Sequence, residues 1–181
     1  MRYGYSNISG LVVMVPDVKS DGRGFFLESY SQQRCMNGGI TAVFIQDNHC
    51  LSVKKWTLRG LHFQMPPFAQ NKLVRVTRGS VYDVAVDLRK KSPTFGRWKS
   101  FILSGKNFRQ LYVPAGFAHG FCTLEKDTEV LYKVDRPYSP EHVGGIIWND
   151  RDLKIDWPTE NPHLSDRDSS WPSLKKIPKF F

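Results

Sequence analysis

Short apolar runs recur roughly every ten residues along this chain, each bounded by Gly, Pro, Ser or Asn, and that spacing limits the folds open to it. "GLVVMV" (10–15), "FFLESY" (25–30), "AVFIQDN" (42–48) and "WTLRGLHFQ" (56–64) come first. "KLVRVTRGSVYDVAVDLR" (72–89) follows, with a turn at Gly79 between two alternating segments. "WKSFILS" (98–104), "QLYVP" (110–114), "HGFCTL" (119–124) and "EVLYKV" (129–134) complete the series. The pattern predicts an all-β sandwich or barrel. One short helix is expected over "SQQRCMNGG" (31–39), ended by Gly38. There is no internal repeat, low-complexity segment or domain boundary. A single domain over residues 1–181 is therefore expected, with the Pro-, Ser- and charge-rich stretch 150–181 wrapping over the sheet.

The chain carries 26 basic and 17 acidic residues, a net charge of +9, which favours an anionic partner. Much of that surplus lies in "RKKS" (89–92) and "SLKKIPKFF" (173–181), which read as solvated faces. No helix with a basic stripe and no nucleic-acid module is present, so no nucleic acid is expected as partner. The run "LVVMV" (11–15) is too short to span a bilayer and no cleavage site follows it, so neither a membrane nor a leader is expected. Cys35, Cys50 and Cys122 are odd in number and irregularly spaced, which fits reduced thiols in the cytoplasm.

Within "LRGLHFQ" (58–64), Arg59, His62 and Gln64 interrupt what should be an apolar strand. Strict alternation sends Arg59 and His62 to opposite faces. Gly60 lies between them, and a glycine inside a strand often marks a bulge that re-aims its neighbours. A bulge there turns both polar groups into one cavity. Gln46, Asn48, Lys72, His119 and Tyr132 sit on other predicted strands and are candidates for the same cavity face. Each alone reads as a solvated or locally bonded residue; strands of one sheet would bring them together. A metal is the rival reading, since barrels of the cupin type often hold one through a His-x-His pair. Here that place reads His62-Phe63-Gln64, and no metal is expected.

Longer motifs carry a resemblance. "GRGFFLE" (22–28), "QDNH" (46–49), "LRGLHFQ" (58–64), "QNKLVRVTRGSVYDVAVDLRKKSPTFG" (70–96) and "VPAGFAHGF" (113–121) resemble the dTDP-4-dehydrorhamnose 3,5-epimerase family. "LYKVDRPYSP" (131–140), "IIWNDRDLKIDWP" (146–158) and "LSDRD" (164–168) extend the similarity in the same order and spacing. The resemblance implies an all-β, cupin-type jelly roll with a few short helices, assembled as a homodimer. It implies epimerisation of dTDP-4-dehydro-6-deoxyglucose at carbons 3 and 5 without a cofactor. Both carbons flank a ketone, so proton removal gives an enolate. Inversion then needs a base on one face, an acid on the other, and a cation near the developing oxyanion.

On this resemblance His62 in "RGLH" is the base, a role suited to imidazole near neutral pH. Asp168 in "LSDRD" is the carboxylate that orients it, with Asp83 on a predicted strand as a competing partner. Lys72 in "QNKLVRV" stands by the ketone oxygen, and Tyr132 in "LYK" returns the proton from the opposite face. Tyr138 in "RPYSP" stacks on thymine. Arg59 and Arg23 contact diphosphate or sugar, as planar guanidinium groups can. Glu28, Gln46, Asn48 and His119 are further binding or positioning residues. Arg23, Phe26 and Glu28 reach the partner's site across the dimer, and Arg167 stands where many members carry lysine. Cys50 replaces a usual serine and Phe63 a common tyrosine. Three alternatives stay open: an epimerase acting on one carbon of a related 4-ketosugar, a non-catalytic sugar-nucleotide-binding cupin, and a cupin oxygenase.

Overall fold

The computed structural model describes residues 1–178 and 181. Its strands are β1 (Arg2–Tyr5), β2 (Val12–Val15), β3 (Val18–Asp21), β4 (Gly24–Leu27), β5 (Gln46–Ser52), β6 (Leu58–Gln64) and β7 (Lys72–Arg78). β8 (Ser80–Asp87), β9 (Trp98–Ser104), β10 (Gln110–Val113), β11 (Phe117–Thr123), β12 (Thr128–Val134) and β13 (Val143–Gly145) follow. One sheet runs β1-β2-β10-β7-β12-β5, a second β13-β6-β11-β8-β9, and β3 pairs with β4 as a separate hairpin. The two large sheets face each other as a jelly-roll sandwich, as the spacing predicts. Among the described residues, helices are confined to α1 (Gln32–Asn37), α2 (Asp166–Ser169) and two short 3-10 turns.

Alternation builds the core. Val74, Val76, Leu111 and Val130 point inward from one sheet and meet Val81, Ala85, Phe117 and Phe121 from the other. The outer face of the second sheet is also covered. Leu61, Phe63, Val84 and Val86 pack beneath Leu153, Ile155, Trp157 and Leu174. Strand β8 is therefore buried on both sides, and only Tyr82 retains partial exposure. On the other sheet, α1 lays Cys35 against Val12, Met14 and Leu73. Ser31 caps this helix by accepting from the Arg34 amide, and Gly38 ends it by donating to the Arg34 and Cys35 carbonyls.

Several boundaries differ from expectation. The run read as a strand from residue 42 begins its ladder only at Gln46. Ala42 and Phe44 pack on the α1 cluster instead of entering the sheet. β1, β3 and β13 carry the sequences "RYGY", "VKSD" and "VGG", too polar or too glycine-rich to stand out as strands. Gly79 is not a hairpin turn. β7 and β8 belong to different sheets, so Gly79 is the corner between them. Its φ of +73° and the Thr128 hydroxyl, 2.3 Å from where a Cβ would stand, require glycine there.

Candidate active site

The cavity begins with an irregularity in β6. Opposite β11, His62 pairs with His119 while Arg59 pairs with Phe121. Three steps along β6 thus match two along β11, which is the bulge expected at Gly60. Gly60 has φ +134°, and a Cβ there would lie 2.5 Å from the Gly120 Cα. A Cβ on Gly120 would in turn lie 2.8 Å from the Arg59 carbonyl oxygen. Two facing glycines let the backbones approach, the alternation slips by one residue, and Arg59 and His62 open onto the same space. That space is a cavity of about 310 Å³ lined by both residues with Cys50, Lys72, His119, Phe121, Tyr132, Ser165, Arg167 and Asp168.

His62 Nε2 lies 2.5 Å from Asp168 Oδ1. The carboxylate arrives on α2, from the segment that also covers the second sheet. Ser165 caps α2 by accepting from the Asp168 amide at 3.2 Å, and Trp171 Nε1 donates to Asp168 Oδ1 at 3.3 Å. The Trp171 ring meets the His62 ring edge-on, with centroids 6.0 Å apart. Gly145, the β13 residue opposite His62, makes room for it: a Cβ there would lie 2.4 Å from the indole. Burial pushes the Asp168 carboxyl up. The hydrogen bond and charge of His62, with Ser165 and Trp171, outweigh burial and hold it below the usual aspartate value.

Asp83 pairs elsewhere. Both its oxygens lie within 3.0 Å of His119 Nε2, and neither residue has appreciable exposure. Of the two carboxylates left open by the sequence, Asp168 is the one on His62. Lys72, the first residue of β7, enters between Val113 of β10 and Val134 of β12. Burial brings its ammonium down from 10.5 to about 8, opposed by the charge of Asp83. Tyr132 shares the inward face of β12 with Val130 and packs against the central core. Burial, with Cys50, raises its phenol further and Arg59 opposes this, so the hydroxyl keeps its proton at neutral pH.

The remaining expected residues divide. Arg59 and Arg167 line the cavity; Arg59 Nε donates to the Ser52 hydroxyl at 3.2 Å, and Arg167 lies over the Trp171 ring. Gln46 and Asn48 lie on the inward face of β5 and bond to each other at 2.9 Å, but are not among the lining residues. Arg23 bonds Asp21, Phe26 is 72% exposed and Glu28 pairs with Arg34, all away from the cavity of their own chain. Tyr138 is also exposed, on the loop between β12 and β13. Sequence reasoning passed over Ser165 and Trp171. Ser165 carries a signal, the cap spacing Ser-x-x-Asp before α2; Trp171 carries none. Among the described residues no three His, Cys, Asp or Glu side chains converge as a group able to hold a metal ion.

A base–carboxylate pair, a cation and a phenol around one cavity can move protons beside a carbonyl, and the comparisons agree. Residues 5–176 match the family model described as dTDP-4-dehydrorhamnose 3,5-epimerase. The chain is 49% identical over 164 residues to the dTDP-4-dehydrorhamnose 3,5-epimerase of Shigella flexneri, covering 90% of each. The crystal structure of that enzyme from Bacillus anthracis, with TDP and PPi bound, matches with a TM-score of 0.94 at 50% identity. It covers 96% of this chain and 99% of that one. A dTDP-6-deoxy-D-glucose-3,5-epimerase from Legionella pneumophila in complex with dTDP-4-keto-L-rhamnose matches with a TM-score of 0.93 at 44% identity. There the coverage is 98% of this chain and 94% of the other.

Proposed function

The chain belongs to the dTDP-4-dehydrorhamnose 3,5-epimerase family, and from that premise we propose how its own residues carry the reaction. It is an isomerase that inverts carbons 3 and 5 of dTDP-4-dehydro-6-deoxy-D-glucose to give dTDP-4-dehydro-L-rhamnose. The observation that carries the assignment of roles is the His62–Asp168 pair in a cavity shared with Lys72 and Tyr132.

His62 removes the proton from the carbon beside the ketone, and Asp168 holds the ring and stabilises the imidazolium that forms. The C–H electron pair moves towards the ketone to form an enolate, whose negative oxygen is met by the Lys72 ammonium. Tyr132 then gives its phenolic proton to the opposite face of the same carbon and recovers one from solvent. The imidazolium releases its proton to solvent, and repetition at the second carbon completes the inversion. Every proton transfer to or from carbon in this scheme is made by a side chain, and no cofactor is invoked. Arg59 and Arg167 bind diphosphate oxygens at the mouth, Tyr138 stacks on thymine, and Gln46, Asn48 and His119 position the sugar.

Arg23, Phe26 and Glu28 serve the site of a partner subunit in a homodimer. Their exposure and distance from their own cavity support this reading. Residues 1–181 act as one jelly-roll epimerase domain, working in the cytoplasm. No helix among the described residues is long and apolar enough to cross a membrane.

The test is NMR of the protein with dTDP-4-dehydro-6-deoxyglucose in deuterated water. Deuterium is expected at both carbons of the product. Label at one carbon reduces the activity to a single-site epimerase, and label at neither removes this substrate. Sedimentation at micromolar concentration tests the dimer, which a fully active monomer would exclude.

A further inference from the structure

We propose that Gln64 is a positioning residue for the nucleoside: it fixes the loop that carries Tyr138 to the strand that carries His62. The proposal rests on reading Tyr138 as the nucleobase contact. Gln64 stands two residues beyond His62 on β6 and is 5% exposed. A buried strand position next to the core would ordinarily be apolar, and a buried amide is costly unless its hydrogen bonds are made.

Here they are made, and two of the three go to one loop. Gln64 Nε2 donates to the Pro137 carbonyl at 3.1 Å, immediately before Tyr138. Gln64 Oε1 accepts from the Ser139 amide at 2.9 Å, immediately after it. The second Nε2 hydrogen reaches the Phe68 carbonyl at 2.8 Å. Gln70 adds a hydrogen bond to the Arg136 carbonyl at 2.8 Å, and the Ser139 hydroxyl meets His142 Nδ1 at 2.8 Å. Tyr138 is 56% exposed. The peptide units on both sides of this aromatic are thus tied to one buried amide. A ring placed in advance loses less freedom when a base stacks on it, which favours binding without altering the chemistry at the sugar.

Calorimetric titration with dTDP, together with steady-state kinetics, tests this on wild type, Gln64→Met, Tyr138→Ala and the double variant. Gln64→Met is expected to weaken dTDP about tenfold and raise KM similarly, with kcat changed less than about twofold, the sign of a lost binding contact. Tyr138→Ala is expected to weaken dTDP at least as much, and the double variant no further, because both changes act through one contact. If Tyr138→Ala leaves dTDP binding intact, the reading of Tyr138 fails and the proposal fails with it. If Tyr138→Ala weakens binding while Gln64→Met does not, or if their effects add fully, the positioning role is overturned and Tyr138 stands. Should Gln64→Met not fold, Gln64→Glu keeps the volume and the acceptor for the Ser139 amide while losing both donors. A loss of about threefold in dTDP affinity then supports the role, and unchanged affinity overturns it.

Discussion

Two imidazole–carboxylate pairs lie side by side, on partners directly opposed across β6 and β11, yet they differ in access. The His62 side chain keeps 34% of its surface and holds an Asp168 that arrives on a separate short helix. The His119 side chain keeps 9% and holds a fully buried Asp83 from the adjacent strand of the same sheet. The groups are alike, and their surroundings decide their use. In the proposed scheme the base must be reached by the carbon it deprotonates, whereas a nearly buried pair at the cavity wall is suited to positioning. A sealed pair is also hard to disturb, since removing one partner strands a buried charge.

Deleting each imidazole separates the two pairs most strongly. His62→Asn is expected to lower deuterium exchange at both carbons by about 10²- to 10⁴-fold, with a smaller loss of melting temperature than His119→Asn. His119→Asn is expected to cost stability first and exchange at most about tenfold. Equal losses of exchange on two folded proteins would show that access does not separate the pairs.

Lys72 lies between the two pairs in its effects. Lys72→Met is expected to lower the rate by about 10²- to 10³-fold, the scale for losing a donor to a developing oxyanion. At pH 7 it should also raise the melting temperature. The folded chain holds this lysine at about 8 instead of 10.5, so the unfolded chain binds more protons between those values. Its share of wild-type stability therefore grows as pH rises through that window, and the neutral-pH penalty that the variant escapes is at most about 3 kcal/mol. Melts of both proteins at pH 7 and pH 10 check the sign: the gap between them should narrow at pH 10.

Tyr132→Phe sharpens the contrast by asking which face of the enolate each wall serves. The base and the Lys72 cation remain, so exchange should continue slowly while inversion falls about a hundredfold. If inversion keeps pace with exchange, Tyr132 is not the acid. The smallest effect is a shift. Wild-type activity should decline above about pH 8 as Lys72 loses its proton. Asp83 raises the lysine, so Asp83→Asn should move that alkaline limb to lower pH, whereas Asp168→Asn should lower the plateau and leave the limb in place.

Legibility in the sequence followed alternation. β9 is bounded as the alternation of "WKSFILS" predicts, and β7 and β8 fall on either side of Gly79. β1 and β13 escaped because glycine interrupts "RYGY" and "VGG", and β3 because "VKSD" is polar. In the site, Arg59 and His62 were readable as neighbours from Gly60 alone, since a strand glycine offers a bulge. The division of carboxylates was not readable. Asp83 and Asp168 both stand far from either histidine in sequence, and only the β8–β11 register gives Asp83 to His119. Gln64 was equally opaque, because its loop partners lie up to 75 positions away.

The His62–Asp168 bond spans 106 positions of chain. Its two members therefore leave the ribosome at different times. At about 5–20 residues per second, His62 emerges on the order of 5–20 s before Asp168. By the time Asp168 is made, β6, β8 and β11 have all been synthesised, so the strands that frame His62 precede its partner. A message cut short before α2 would yield barrel strands and an unsupported base.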